Sequence, residues 1–255
     1  GAIAELARRS ITKDFRSITP HCSKIVLIEA GPRLLPSFPE ALSEEAKRSL
    51  EAMGVEVRLG VPVTDISAEN VMLGTTPLPA RTVVWAAGVR ASPAGEWLKV
   101  PCDRAGRVIV NADFSVPGTD NVFVIGDTAA FKGPDGKMLP GVAPAAKQAG
   151  LYVGRLVAAH AMKKVLPDAF RYADYGNLAT IGHSKAVVDF GFVRLKGLIA
   201  WVLWSLAHVY FLIGFRNRFF VATGWAWSYF TYKRGVRLIT GSPVVARNET
   251  LSEAA

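Results

Sequence analysis

The fold is most easily inferred from two segments, NVFVIGD at residues 121–127 and VAPAAKQAG at residues 142–150. The first has the apolar run of a buried strand and places Asp127, after Gly126, at the carboxyl end of that strand. Ligands bind at this end of the strands in open α/β sheets, and an aspartate there can accept a hydrogen bond from a sugar-alcohol hydroxyl. The second segment predicts a helix over 142–163, whose N-terminus would favour negative charge on a nearby ligand.

Two segments further upstream have the same character. KIVLIEAG at residues 24–31 predicts a buried parallel strand that ends at Glu29, and TVVWAAG at residues 82–88 predicts another that ends at Ala87 and Gly88. An acid at such a strand end accepts hydrogen bonds from the adenosine ribose and favours NAD over NADP. The small residues Ala87 and Gly88 permit a cofactor or its phosphates to approach the backbone.

The remaining pattern before residue 170 also suits an α/β protein. Helical spacing over residues 40–53 predicts a helix that stops at Gly54, and residues 1–10 resemble the body of another helix. Short strands are predicted at 55–59, 63–66 and 71–73. No two glycines have the G-x-G spacing of a dinucleotide fingerprint, so we expect the chain to begin within a longer protein whose fingerprint lies upstream of Gly1.

The C-terminal third is apolar, aromatic and basic. Residues 197–215 form a 19-residue run without charge, and a second apolar run covers 219–230. Between residues 185 and 240 lie eight Lys or Arg, one acid and four of the six tryptophans. Three interpretations remain open for this region: a transmembrane helix, one or two helices lying in a membrane interface, or a buried helix or dimer core. Cations at both ends of the first run favour the interfacial helix.

Composition excludes several classes of protein. With 255 residues, 50% of them hydrophobic and 20% charged, the chain is not mainly disordered, collagen-like or a disulfide-stapled miniprotein. A net charge of +9 with a positive mean hydropathy suggests an anionic membrane surface rather than nucleic acid. The two cysteines, Cys22 and Cys102, form no CxxC motif and no metal-ligand cluster.

The AAG loop, NVFVIGD and VAPAAKQAG, in this order, resemble the pyridine-nucleotide flavoprotein oxidoreductases with two dinucleotide-binding domains. The segment YGNLATIGH at residues 175–183 and the Trp-rich tract at 197–231 are similar to the type II NADH dehydrogenases, the non-proton-pumping NADH:quinone oxidoreductases. The resemblance covers nearly the whole chain, apart from the last dozen residues. It is specific in the C-terminal half and generic in the first 80 residues.

The resemblance implies an α/β fold with two Rossmann-like dinucleotide-binding domains, both incomplete in this chain, and a C-terminal amphipathic, membrane-associated helical region. Residues 1–110 would be the NAD-binding domain without its first strand and glycine motif. Residues 111–165 would be the C-terminal portion of the FAD-binding domain, and residues 166–255 the membrane-associated region.

The resemblance also assigns site residues. Gly126 and Asp127 would bind FAD, with Asp127 on the ribitol, and Glu29, Ala87 and Gly88 would bind NADH. The helix after Asp127 would run beside the isoalloxazine, where family members often carry an Ala-Gln pair and a second Gln one turn later. This sequence has Ala143-Pro144 and Gln148 there. Gln148 is therefore the candidate for contact with quinone, whereas Pro144 departs from the glutamine version.

The expected activity follows from the resemblance. It is FAD-dependent transfer of electrons from NADH to a membrane quinone without proton pumping, in respiratory electron transport at the cytoplasmic face of the inner membrane. The partners would be NADH, quinone and the lipid surface, with no nucleic acid and no metal, and a homodimer is left open. No catalytic base is nominated, and His183 and Lys147 are interpreted as structural or surface residues. The alternatives are a non-catalytic membrane-binding fragment and a related membrane flavoprotein with another acceptor.

Overall fold

The computed structural model of the chain describes residues 1–10, 23–119, 121–212 and 214–231, without the side chains of residues 9 and 10. The α-helices are α1 (Ala2–Glu5, continued by a π-helix at Leu6–Ser10), α2 (Glu40–Ala52), α3 (Ala94–Leu98), α4 (Ala143–Ala161), α5 (Gly197–Phe211) and α6 (Phe215–Thr231). The strands are β1 (Ile25–Glu29), β2 (Val55–Leu59), β3 (Val63–Ile66), β4 (Asn70–Leu73), β5 (Thr76–Pro79), β6 (Val108–Ile109), β7 (Ala129–Ala130), β8 (Asn177–Gly182), β9 (Lys185–Asp189) and β10 (Arg194–Lys196).

The N-terminal part contains a β1–α2–β2 unit, in which β1 and β2 pair in parallel and α2 makes the crossover. Leu42, Ala46 and Leu50 of α2 recur at helical spacing and are buried. The helix ends before Gly54, whose φ of +77° suits a glycine. The strand, the helix and its stop are confirmed as predicted, although β1 is half-buried rather than fully buried.

An antiparallel meander of β3, β4 and β5 follows β2. It confirms the short strands predicted at 63–66 and 71–73, and it adds β5, which the sequence did not predict. Thr64 closes the meander, since its hydroxyl donates to the Gly74 carbonyl at 2.9 Å.

Two predicted strands are wrong. Residues 82–86 form no strand, and all five are exposed, because within the described part of the chain β1 pairs with β2 alone and nothing covers this segment. Residues 121–125 form no regular strand either. Val124 donates its backbone N–H to the Phe114 carbonyl at 3.0 Å, so the segment pairs locally with residues 114–116 instead of joining a parallel sheet.

A second core forms under α4. Phe114 stacks on Phe131, with ring centroids 4.3 Å apart, and Phe170 meets both rings edge-on at 4.9 and 5.4 Å. Ala145 and Ala149 present the buried face of α4 to this cluster, and their small side chains permit close packing. The predicted helix at 142–163 is confirmed, and it ends at Ala161.

The C-terminal sheet, ordered β10-β9-β8, lies between two helical layers. Side chains alternate across β9, as strand geometry requires. Val187 packs with Ile181 into the core that includes α1 and α2, whereas Ala186 and Val188 pack against Ala200 of α5. The sheet therefore fixes the helical hairpin α5–α6 to the N-terminal unit.

Two polar contacts support this docking. Lys196 of β10 forms an ion pair with Glu45 of α2 at 2.9 Å. In the turn between β8 and β9, the backbone N–H of His183 donates to the Glu5 carboxylate of α1.

The apolar run predicted at 197–215 is divided between α5 and α6, because α5 ends at Phe211 and α6 begins at Phe215. Across the portions of the chain that the structure describes, none of the helices combines the length and apolarity needed for a membrane span.

Candidate functional site

Glu29 lies at the end of β1 and is oriented by its own loop. One carboxylate oxygen, Oε1, accepts a hydrogen bond from the Gly31 backbone N–H at 2.7 Å. A Cβ on residue 31 would lie 3.1 Å from this oxygen, so glycine permits the close approach. Among the described residues the second oxygen of Glu29 has no hydrogen-bond donor, which leaves it available to hydroxyl groups of a ligand.

The Ala87–Gly88 loop borders a cavity of about 610 Å³. Gly88 has a φ of +109°, a conformation that an L side chain rarely adopts. The lining residues are Trp85, Ala87, Gly88, Val89, Arg90, Asp103, Arg104, Ala105 and Gly106. Four of these nine residues are Ala or Gly, and the role of the loop in binding stays a prediction.

The cavity carries positive charge. Asp103 is paired with Arg107 at 2.7 Å. Burial acts to raise the pKa of Asp103, but the hydrogen bonds from Arg107 and from the Ala105 backbone outweigh it and lower that pKa. Neither Arg90 nor Arg104 has an ion-pair partner in the part of the chain that is described, so their guanidinium groups suit an anionic ligand.

The Gly126–Thr128 segment forms a short 3₁₀ turn against the first turns of α4. Gly126 has a φ of +67°, and a Cβ there would lie 3.4 Å from the Ala146 Cβ. A Cβ on Gly141 would lie 3.5 Å from the Asp127 carboxylate. Both distances are those of ordinary van der Waals contact, so it is the positive φ of Gly126 that favours glycine in this turn. The Asp127 carboxylate is exposed and accepts no hydrogen bond from any described residue.

The structure joins two of the predicted site loops. The Ser92 hydroxyl lies 3.3 Å from the Thr128 hydroxyl, which connects the segment after Gly88 to the Asp127 turn. The sequence did not predict this contact, since the two hydroxyls belong to no motif. No hydrogen bond or ion pair within the described ranges connects Glu29 to either loop.

The first residues of α4 are exposed, and the Gln148 side chain is hydrogen-bonded to another segment of the chain. Val142 caps the helix, and Ala143 and Pro144 in the first turn are exposed. The Gln148 amide makes two hydrogen bonds to one residue: its Nε2 donates to the Ala173 carbonyl at 2.9 Å, and its Oε1 accepts from the Ala173 N–H at 2.9 Å. In this structure Gln148 therefore fixes the segment after Phe170 to α4.

Stacked aromatic rings hold the α5–α6 hairpin together. Trp204 stacks on Trp225 at 5.5 Å and an interplanar angle of 7°, and Trp201 lies 5.1 Å from Tyr229. His183, from the turn between β8 and β9, stacks on the Tyr229 ring at 4.4 Å. The interpretation of His183 as a structural residue agrees with this packing.

The outer face of the hairpin is apolar and exposed. Phe215, Trp227 and Phe230 are 83%, 67% and 80% exposed. Further exposed side chains on these helices are Leu198, Ile199, Leu206, Tyr210, Phe211, Phe219 and Phe220. A contiguous apolar surface of this kind marks an interaction site.

Cations border this face at defined positions. Arg216 lies over the Phe220 ring at 5.7 Å, Arg218 over the Tyr210 ring at 5.6 Å, and Lys147 of α4 over the Phe211 ring at 5.6 Å. The last contact joins the helix after Asp127 to the aromatic face. The sequence did not reveal it, because 63 positions separate Lys147 from Phe211.

Of the two cysteines, Cys102 is the one that the structure describes. The Cys102 thiol is exposed and lies 3.6 Å from the Val100 carbonyl, and Cys22 lies outside the described residues. Within the described ranges, no group of three or more His, Cys, Asp or Glu side chains gathers as a metal site.

Comparison with known proteins places these features in a family. Residues 9–150 match the pyridine nucleotide-disulphide oxidoreductase family, and residues 175–233 match the NDH2 C-terminal domain. The type II NADH:quinone oxidoreductase Ndh of Mycobacterium tuberculosis is 36% identical over all of this chain and 57% of its own length. The related NdhA of the same organism is 36% identical over 97% of this chain and 54% of its own length.

Among solved structures, NDH2 from Plasmodium falciparum in complex with NADH has a TM-score of 0.81 at 17% identity, and the match covers 92% of this chain and 63% of that chain. At that identity the likeness establishes the fold. The chain spans little more than half the length of the curated relatives it matches. The chain belongs to the pyridine nucleotide-disulphide oxidoreductase family, and its resemblance to the type II NADH dehydrogenases is confirmed.

Proposed function

We propose that this chain is the C-terminal part of a type II NADH:quinone oxidoreductase, which passes electrons from NADH through FAD to a membrane quinone without pumping protons. The relatives with that printed name extend well beyond the matched region. Residues 1–110 would belong to the NAD-binding domain, 111–165 to the FAD-binding domain and 166–255 to the membrane-associated region.

One observation carries the proposal. The helix that follows the Asp127 turn contacts the exposed aromatic face of the hairpin through Lys147 and Phe211. A turn suited to a dinucleotide cofactor and a surface suited to an apolar medium therefore both contact α4. A quinone oxidoreductase needs this proximity, because its acceptor is dissolved in the membrane.

The residues present fit FAD. Gly126 provides the positive φ of the turn, and the exposed Asp127 carboxylate is an acceptor for ribitol hydroxyls. Ala143 and Pro144 present small side chains beside that position. When bound, the flavin supplies the redox chemistry, accepting a hydride from NADH and delivering two electrons to quinone.

The protein would position NADH through two regions. The Glu29 carboxylate, oriented by the Gly31 N–H, accepts from ribose hydroxyls and disfavours a 2′-phosphate. The Ala87–Gly88 loop exposes backbone at the cavity wall, where Arg90 and Arg104 attract phosphate groups. These two arginines were not among the predicted site residues, and an isolated arginine in a loop gives no sequence signal.

We propose that the outer face of the α5–α6 hairpin lies in the membrane interface, on the cytoplasmic side of the inner membrane. Exposed Phe and Trp side chains and their bordering cations suit anionic lipid. A homodimer is the other way to cover the face. Two copies would bring together like charges from Arg216 and Arg218, so the lipid surface is the better partner.

The test is an anaerobic absorption spectrum of the complete protein in detergent, first with NADH and then with quinone. We expect an oxidised-flavin spectrum that bleaches with NADH and returns with quinone. A colourless protein would instead support a non-catalytic membrane-binding role. A flavin reduced by NADH and reoxidised by soluble dyes but not by quinone would indicate a different acceptor.

A further inference from the structure

The loop that joins β1 to α2 is braced by Arg33. This loop follows Glu29 directly, and the Arg33 side chain is half-buried in it. Its Nη1 donates to the Phe38 carbonyl at 2.5 Å, and its Nη2 donates to the Pro36 carbonyl at 2.7 Å. A guanidinium can reach two acceptors at once because its donors form a rigid fork. The side chain thus ties the first half of the loop to its second half.

Ser43 extends this brace to α2. Its hydroxyl accepts a hydrogen bond from Arg33 Nη1 at 3.0 Å and donates to the Leu35 carbonyl at 3.3 Å. Ser43 is only 2% exposed, and burial of a hydroxyl is unfavourable unless its hydrogen bonds are made. Both bonds go to the loop, so the network supports the conformation of the loop as well as the packing of α2.

The conformation that this network holds is strained. Leu35 has a φ of +50°, where a bulky L residue is rarely found. The Phe38 backbone N–H donates to the Leu35 carbonyl at 2.9 Å and closes a turn around it. Leu34 and Phe38 are buried in the core that includes α2. Strain of this kind persists only where surrounding contacts impose it, and it is concentrated where proteins shape binding sites.

The braced loop begins at the Glu29 carboxylate. Glu29 Oε1 accepts from the Gly31 N–H at 2.7 Å, and the Gly31 carbonyl accepts from the Gly60 N–H at 2.9 Å, just beyond β2. A Cβ on residue 31 would lie 3.1 Å from Glu29 Oε1 and 3.8 Å from the Arg33 carbonyl. The Glu29 side chain and the Arg33 backbone are therefore packed at one turn, so the position of the carboxylate depends on the conformation of the loop.

The brace also has a consequence for charge. Arg33 is the first cation that follows Glu29 in the chain. An arginine near this strand end can accommodate the 2′-phosphate of NADPH, whereas a carboxylate accepts a hydrogen bond from the 2′-hydroxyl of NADH. Here Nη1 and Nη2 are directed to carbonyl and hydroxyl groups of the protein. The same network thus turns the guanidinium inward and leaves the carboxylate to bind the ribose.

We infer that Arg33 is a positioning residue for the Glu29 carboxylate and that, with Ser43, it sets the preference for NADH over NADPH. The inference rests on the proposed function and deepens it, since that function assigns the ribose to Glu29 alone. Arg33 is given no contact with the nucleotide. It holds the loop so that the carboxylate meets the Gly31 N–H on one side and a ribose hydroxyl on the other.

The experiment measures the binding of oxidised nucleotides to the complete FAD-loaded protein by calorimetry. NAD⁺ leaves the oxidised flavin unchanged, so its Kd is obtained without turnover. Arg33→Met removes the charge and the donors, whereas Ser43→Ala keeps the guanidinium and removes one of its acceptors. Arg48→Met is the matched control, because Arg48 is an exposed arginine of α2 that pairs with Glu45 at 3.3 Å. Each variant is titrated with NAD⁺, with NADP⁺ and with an NAD⁺ analogue that lacks the 2′-hydroxyl assigned to Glu29.

For Arg33→Met we expect the Kd for NAD⁺ to rise about tenfold, which corresponds to about 1.4 kcal/mol. Ser43→Ala should raise it about threefold, because one neutral hydrogen bond of the network is lost. Arg48→Met should leave it unchanged. The Kd values for NADP⁺ and for the 2′-deoxy analogue should change less than about twofold, since neither ligand has the hydroxyl that Glu29 binds. In a Glu29→Ala background, Arg33→Met should have little further effect on NAD⁺, because residues that act through one another are not additive.

Three results would overturn the inference. The first is a wild-type Kd for NAD⁺ in Arg33→Met. The second is an equal rise for NAD⁺ and its 2′-deoxy analogue, or an undiminished effect in the Glu29→Ala background, since either would show that Arg33 supports the fold in general. The third is an equal rise for NADP⁺ and NAD⁺, which would assign Arg33 to contact with phosphate.

Two further outcomes are kept apart from these. If Arg33→Met does not fold, Ser43→Ala decides the inference by the same comparison of NAD⁺ with its 2′-deoxy analogue. A wild-type protein that binds no NAD⁺ would refute the proposed function itself, and this is recognised before any variant is compared.

Discussion

Replacing Gly126 with alanine tests whether the turn before α4 holds the flavin. Gly126 has a φ of +67°, where an L residue costs about 1–2 kcal/mol. The new Cβ would also lie 3.4 Å from the Ala146 Cβ, in van der Waals contact with an early residue of α4. We expect the turn to relieve the backbone strain by changing its conformation, which displaces the neighbouring Asp127.

The expected effect on FAD binding follows from that movement. A hydrogen bond to a charged group contributes about 1.5–3 kcal/mol. Losing the one that we assign to Asp127 would weaken FAD binding by about 10- to 150-fold. The measurement is the Kd for FAD of the stripped protein, by recovery of flavin absorbance, together with the free energy of unfolding in urea.

Gly136→Ala is the control. Gly136 has a φ of +79°, lies in an exposed turn and has open space around it except for the end of the Lys132 side chain at 3.9 Å. It should lose about the same 1–2 kcal/mol of stability as Gly126→Ala and keep the wild-type affinity for FAD. Equal FAD affinities of the two variants would refute the assignment of the Gly126–Thr128 turn to the cofactor.

Three further predictions concern packing and charge. Phe114→Ala should destabilise the fold by about 3–5 kcal/mol, because the ring is fully buried and stacked, and a loss under about 1 kcal/mol in urea unfolding would contradict the proposed core. Gln148→Ala should lower the free energy of unfolding by about 1–3 kcal/mol, since both hydrogen bonds to Ala173 are lost. A thermal unfolding temperature equal to that of the wild type would show that these two hydrogen bonds do not stabilise the fold. The hydrogen bond from Lys196 holds the pKa of Glu45 below its ordinary 4.5, so the pair stabilises the folded state above that pH and loses its effect as pH falls through the lowered pKa. Glu45→Gln should thus be less stable than the wild type by under about 1 kcal/mol at pH 7 and equally stable once Glu45 is protonated; a difference that persists in acid would indicate another cause.

The sequence nominated only some of the residues of the candidate site, and their roles stay predictions. Apolar runs that end in an acid or a glycine were sufficient to nominate Glu29, Gly88 and Asp127, because α/β folds bind ligands after such runs, although of the three only Glu29 ends a strand in the structure. The contacts of Gln148 and Lys147 could not be predicted in this way. Their partners, Ala173 and Phe211, belong to no local pattern and are reached only when the chain returns to α4.

The helices and strands likewise fall into those that a local sequence pattern predicted and those that it did not. Local periodicity determined α2 and α4, since apolar residues at helical spacing bury one face of each helix, and Gly54 follows the end of α2. The continuous apolar run of residues 25–28 determined β1. Hydrophobicity was misleading at 82–86, where an apolar run is not sufficient for a strand without a neighbouring strand to receive its hydrogen bonds.

The sequence by itself determined the family, the β1–α2–β2 unit, the helix α4 and the apolar, basic character of the C-terminal tract, because these depend on residue order over short spans. Tertiary structure alone decided that β8–β10 would be covered on both faces and that His183 would pack on Tyr229. It also decided that Lys147 would lie over Phe211. The physical reason is that each of these contacts depends on how whole layers of helices and strands pack together. A strand with alternating small and branched residues can pack against many different surfaces, so its own sequence does not specify which one it contacts.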